Sequence, residues 1–222
     1  MTVFDEELQQ LKEKLLKMGS LVEDAIKNSI HALVERDNPL AQKVIDNDRL
    51  VNTLDVEIDE ESIRLIALRQ PKATDLRFIT MAMKITTDME RMGDLAVNIA
   101  ERALELNEEP VLKPYIDIPK MRAIAQGMIR DALDAFVRKD KNLAMAVIMR
   151  DDEVDDLKHD VLQELAFFMI QDPSTVSRAM KISFVAQYLE RFADHATNIA
   201  EMVIYLVEGK IIRHTILPSE KK

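Results

Sequence analysis

Glu90-Arg91-Met92-Gly93-Asp94-Leu95-Ala96-Val97-Asn98-Ile99-Ala100-Glu101 recurs one hundred residues later as Glu190-Arg191-Phe192-Ala193-Asp194-His195-Ala196-Thr197-Asn198-Ile199-Ala200-Glu201, with eight of twelve positions identical. Self-similarity at a fixed offset marks a chain built from repeated units. The apolar positions around each copy recur at alternating spacings of three and four, which is the seam of a long amphipathic helix. In the first copy the seam reads Phe78, Ala82, Ile85, Met89, Met92, Ala96, Ile99 and Ala103; in the second it reads Ile182, Val185, Leu189, Phe192, Ala196, Ile199 and Val203.

Upstream of each copy the same logic predicts two more helices. One spans about Thr2 to Arg36, with Phe4, Leu8, Leu11, Leu15, Met18, Val22 and Ala25 on one stripe. Asn38 is read as the cap of the next, with Pro39 at its first position and Gln70-Pro71 at its end; Val44, Val51, Ile58 and Leu65 mark its core side. The third runs from about Thr74 to Asn107. The second half repeats the plan, with helices over roughly Ile118 to Lys139, Lys141 to Gln171 and Pro173 to Glu208, the last ended by Gly209. Val44-Ile45, Asp48 and Val51-Asn52 are echoed by Val147-Ile148, Asp151 and Val154-Asp155. The fold expected is therefore all-α: two tandem three-helix bundles of six long antiparallel helices, related by duplication. The halves are expected at 1–109 and 120–222, joined by a Pro-containing linker at 110–119.

Composition agrees. Apolar residues make up 47% of the 222, there are four glycines, no Trp and no Cys, and no Asn-Gly or Asp-Gly hairpin signal occurs. Without cysteine there are no disulfides and no thiolate metal sites, which suits a cytoplasmic location. The acidic start has no apolar run behind it and is not a signal peptide; the run Leu165 to Ile170 is far shorter than the ~20 residues that span a bilayer. A formal net charge of −10 argues against nucleic acid, whose phosphates demand a basic face. It suits cations and basic partner surfaces.

The repeated identities gather on polar positions that packing does not dictate. Glu90 and Asp94 lie one turn apart, as do Glu190 and Asp194, each pair beside the seam. The middle helices add Asp48, Asn52, Asp55 and Asp59 in one half and Asp151, Asp155 and His159 in the other. Like charges four apart destabilise a helix by ~0.2–0.5 kcal/mol per pair, and two such rows facing each other add to that unless a cation lies between them. Carboxylate, amide and imidazole donors suit Mg, Mn, Fe or Zn. A solvated acidic face has the same pattern, partly neutralised by Arg91 and Arg191. His195, His31 and His214 have weaker claims as ligands. A second cluster, Arg69, Lys72 and Arg77 at the turn between helices two and three, is locally basic; it reads either as a helix stop or as a contact patch for a partner or an anion. Phosphate loops, nucleophile elbows and Glu-x-x-His pairs are absent, so the chain reads as a non-enzyme. A metal-dependent or metal-storage carboxylate bundle is the alternative.

The two Glu-Arg-x-x-Asp segments, the run Val51-Asn52 to Glu60, the stretch Arg69-Gln70-Pro71 to Arg77 and the tail Tyr205 to Lys210 together resemble the PhoU family over essentially the whole chain. The resemblance implies a cytoplasmic homodimer that represses the phosphate-starvation response. Its partners would be the ATPase subunit of a phosphate ABC transporter and a sensor histidine kinase. It also implies multinuclear Fe or Zn sites on the paired acidic motifs: Glu90 and Asp94 with the Asp48–Asp59 row, and Glu190 and Asp194 with Asp151 and Asp155. Against the family pattern Asn52 replaces an acid, and His159 stands where a carboxylate is common, which would favour Zn or Fe at the second site.

Overall fold

The computed structural model describes residues 2–209, and all regular structure among them is helical. Helix α1 (Val3–Glu35), α2 (Asn38–Arg69) and α3 (Ala73–Asn107) form the first half; α4 (Asp117–Arg138), α5 (Lys141–Ile148), α6 (Asp151–Gln171) and α7 (Val176–Glu208) form the second. The seams expected for α2, α3 and α7 are buried at every position. His214, Lys210 and the rest of the tail lie outside the described residues.

Local signals set the helix ends. Thr2 and Asp5 form a capping box, with the Asp5 backbone N–H donating to Thr2 Oγ1 at 3.2 Å and the Thr2 N–H donating to Asp5 Oδ2 at 2.7 Å. Asp37, not Asn38, caps α2: its Oδ1 accepts from the Leu40 N–H at 2.9 Å. Asn38 is the first residue of α2 and instead accepts from Asn107 Nδ2 at 2.8 Å, tying the end of α3 to the α1–α2 turn. Pro173 opens a short 3-10 turn (Pro173–Thr175) before α7 rather than the helix itself. Gly209 ends α7 in the left-handed region, φ 69°, as expected.

The fifth expected helix is two. Between α5 and α6 the Arg150 N–H bonds back only three residues, to the Val147 carbonyl at 3.0 Å, and the Arg150 guanidinium reaches across to Asp131 Oδ2 on α4 at 2.5 Å. Asp151, Asp152 and Glu153 then fill the first turn of α6, where the helix dipole favours acids.

Pairing between ends gives the topology. Glu7 near the start of α1 accepts from Arg69 at the end of α2, Nε to Oε2 at 2.8 Å and Nη2 to Oε1 at 3.0 Å, and from Arg64 Nη1 at 3.1 Å, so α1 and α2 are antiparallel. The two halves meet with α3 on α7 and α1 on α4, and one core runs continuously through both, with a small second cluster of Ala32, Ala41, Val44 and Ala100 in the first half. Phe78 of α3 stacks on Phe136 of α4, centroids 4.7 Å apart. Asp88 Oδ1 of α3 meets His195 Nδ1 of α7 at 2.7 Å. At Gly19 a β-carbon would lie 2.2 Å from Leu133 Cδ1, so α1 and α4 touch almost backbone to side chain there.

The bonds from Arg69, then Arg64, hold the Glu7 carboxyl down to about 2, against an ordinary 4.5. A lowered acid contributes stability that is complete above its unfolded value and is lost as pH falls through the folded one. Glu7→Gln is therefore expected to lower the melting temperature at neutral pH, with the gap from wild type narrowing below about pH 4.5. Thermal melts at both pH values check this; a gap that widens in acid would contradict it.

Candidate metal centres on the α2–α3 and α6–α7 faces

The helical phase of α2 and α3 turns their acids toward a common strip. Asp48 is half-buried against Gly93, where a β-carbon would lie 3.1 Å from Asp48 Oδ1 and 3.3 Å from Val51 Cγ1; the missing side chain lets α2 settle close to α3. Burial, followed by the charge of Asp94, raises the Asp48 carboxyl above its ordinary value, while a 2.7 Å bond from Asn52 Nδ2 opposes the rise. Glu90 is raised by burial, then by Asp94, and further by Asp55 and Asp48 from the facing helix, with Arg91 acting the other way. Asp55 rises through burial and the charge of Asp59. The structure thus brings Asp48, Asp55, Glu90 and Asp94 into one electrostatic neighbourhood. Asn52 stands beside it as donor to Asp48, and Asp59 at its edge. Arg91 supplies a surface counter-charge, 3.4 Å from Glu90 and 3.3 Å from Asp94.

The α6–α7 strip is built alike but charged differently. Asp151 is pushed up to about 6 by burial and then by Asp194, with Asp155 and Asp152 adding and a bond from Thr197 Oγ1 at 3.2 Å opposing. Asp194 also rises, through desolvation and then Glu190 and Asp155; its residue surface is exposed, so solvent screens that effect. Lys158, which the sequence reading passed over, reaches into this strip: Nζ lies 2.7 Å from Glu190 Oε1 and 3.4 Å from Asp155 Oδ1. Burial opposes the Lys158 charge, but these two carboxylates outweigh it and raise the ammonium's pKa. The repeat that pairs Val44 with Val147 pairs Asp48 with Asp151, Asn52 with Asp155 and Asp55 with Lys158. That register was the signal for Lys158. His159 is exposed, and its ring Nε2 lies 2.7 Å from the Gln163 amide nitrogen.

As metal donors, the α2–α3 carboxylates fit in kind: several oxygens with no ammonium among them, and a mutual repulsion that a cation would relieve. Among the described residues no three acids or histidines already converge in ligating geometry, so binding there needs side chains to turn. The α6–α7 strip already holds an organic cation.

The basic turn is thinner than the sequence implies. Arg69 is engaged by Glu7, and Arg77 packs against the end of α7, where a β-carbon on Gly209 would meet its Nη1 at 2.7 Å. Lys72 is exposed.

The raised Asp151 makes a pH prediction. Between its ordinary 3.8 and about 6 the folded chain binds more protons than the unfolded one, so metal-free stability falls as pH rises through that window. Asp151→Asn keeps an oxygen for Thr197 and removes the charge. It is expected to stabilise the metal-free protein by about 1–2 kcal/mol at neutral pH, after allowing for solvent screening, and by little near pH 4. Denaturant melts in chelator at the two pH values test this, and a variant no more stable than wild type at neutral pH would contradict it.

Comparison with known proteins shows where this architecture occurs. The family model described as PhoU domain matches twice, at residues 15–103 and 118–203. A phosphate-specific transport system accessory protein PhoU homolog of Aquifex aeolicus is 47% identical over 208 residues, 94% of each chain. The homolog of Pseudomonas aeruginosa is 41% identical over 220 residues, 99% of this chain and 91% of the relative. Among solved structures, PhoU from Pseudomonas aeruginosa superposes with a TM-score of 0.89 at 42% identity, over 93% of this chain and all of that one. The phosphate transport system regulatory protein PhoU from Streptococcus pneumoniae gives 0.87 at 29% identity, over 94% and 98%.

Proposed function

The chain belongs to the PhoU family, and from that premise we propose that it regulates phosphate uptake and represses the phosphate-starvation response. In this reading it is a non-enzymatic cytoplasmic adaptor, working as a homodimer between the ATPase subunit of a phosphate ABC transporter and a sensor histidine kinase. The family membership supports the phosphate-transport role. No helix among the described residues is long and apolar enough to cross a membrane, so contact with membrane-bound partners would be made by docking.

The observation that carries the metal part of the proposal is the cross-helix coupling of Asp48, Asp55, Glu90 and Asp94. Transition or divalent ions, Fe or Zn before Mg or Mn, would neutralise those carboxylates and stiffen the α2–α3 face. A metal that binds only the folded state stabilises it, which would let partner docking follow metal supply. Lys158 makes the α6–α7 strip the weaker candidate.

The adaptor role is tested by co-purification. Tagged protein is expected to retain both the transporter ATPase subunit and the kinase from cells grown in phosphate, and Lys72→Glu is expected to weaken whichever contact uses the α2–α3 turn. Recovery of neither partner at any phosphate level would sink the proposal.

A further inference from the structure

A further polar site, independent of the adaptor reading, lies between α1 and α4. Where α1 crosses the start of α4, Lys27, Asn28, Ile30, His31 and Val34 face Pro119 and Arg122 across an open cavity of about 410 Å³. Lys27 and His31 are one turn apart on α1, and Arg122 comes from α4. No acid lines the cavity, although the chain carries a net charge of −10.

Among the described residues none of the three forms an ion pair. Arg122 donates through Nη1 only to the neutral amide of Gln126, at 2.7 Å, which steadies the guanidinium without cancelling its charge. The acids nearest in sequence are Glu23 and Asp24, a turn before Lys27, and Glu35, a turn after His31. Glu23 senses Arg130, Asp131 and Asp134 of α4, and Asp24 lines the neighbouring cavity beside α2, whose wall shares Asn28 with this one. Elsewhere on the same α1–α4 pairing, then, acids gather around Glu23 with Arg130 opposing them; here the cations are left together.

Three nitrogen donors and an amide, converging from two helices on one opening with apolar walls of Ile30, Val34 and Pro119, match an anion with several acceptor oxygens. Arginine binds phosphoryl oxygens in pairs, lysine supplies a point charge, and the imidazole and amide add N–H donors. A free phosphate displaces only a few times the roughly 30 Å³ of one water, so the cavity has room for the group that carries it. We propose that this α1–α4 cavity is a binding site for a dianionic phosphoryl group, held by Arg122, Lys27 and His31.

The test follows the His31 ring resonances by NMR on the full chain at fixed ionic strength, with inorganic phosphate, O-phosphoserine, serine and acetate as separate probes. Saturable His31 shifts are expected with at least one phosphate-bearing probe and not with serine or acetate. Arg122→Gln and Lys27→Gln are each expected to weaken that binding roughly tenfold or more, in line with loss of a charged hydrogen bond. Both positions face the opening, and an unchanged thermal melt shows that each variant is folded. Saturation by inorganic phosphate alone identifies the free ion as the source, and saturation by phosphoserine alone identifies a carried phosphoryl group. No saturable shift from either, an equal shift with acetate, or unchanged affinity in both variants would overturn the proposal.

Discussion

Replacing Phe136 with Ala is expected to lower the stability of the whole chain by about 3–5 kcal/mol, the range for deleting a buried aromatic ring. In a chain of this size that corresponds to a drop of roughly 10 °C in melting temperature. Phe136 is fully buried in the second half, and its ring stacks on Phe78 of the first. The cavity would open in the seam where the halves join, next to the close approach of α1 and α4 at Gly19 and Leu133. Because the core is continuous across the halves, the loss is expected in one cooperative transition, with probes in either half reporting the same midpoint. Two separated transitions, or a shift confined to probes in the second half, would show that the halves fold independently.

The second large effect is on metal-linked stability. If the α2–α3 strip binds a metal ion, a concentration one hundred times its dissociation constant stabilises the fold by about 2.7 kcal/mol. Glu90→Gln combined with Asp94→Asn removes two of the four coupled carboxylates and is expected to abolish that gain. The same double variant should be at least as stable as wild type without metal, because burial and mutual repulsion already press on Glu90 and Asp48. The opposite signs separate a metal site from a merely structural cluster, whose loss would destabilise the protein with or without metal. Asp151→Asn with Asp194→Asn should reduce the metal-linked gain much less, since Lys158 already neutralises Glu190 and Asp155.

Much of the fold was legible because burial at helical spacing leaves a direct trace. The seams of α2, α3 and α7 could be read residue by residue, and the duplication supplied the second half. The misreadings arose where side chains compete locally. Asp37 and Asn38 are both good caps, and only the Asn107 contact shows that Asn38 is otherwise engaged. The break at Met149 and Arg150 has no Pro or Gly to announce it; its signal was the acidic run Asp151-Asp152-Glu153, which starts a helix as readily as it continues one.

Of the charges that oppose the acids, Arg91 was legible in the sequence and Lys158 was not. Counting in fours from Asp151 put His159 on the row, whereas the duplication's own register makes Lys158 the counterpart of Asp55. Asn52 makes the first row less acidic on paper, yet the second row is the one that carries an internal cation. Contacts between the halves, such as Asp88 with His195, join positions 107 apart and leave no local pattern to read.

The most direct test of the central claim is metal content. Wild type, Glu90→Gln/Asp94→Asn and Asp151→Asn/Asp194→Asn would be purified anaerobically from metal-replete cells and measured by elemental analysis. The account predicts bound Fe or Zn in wild type, most of it lost from the α2–α3 variant and most of it kept by the α6–α7 variant. Equally little metal in all three proteins would contradict it.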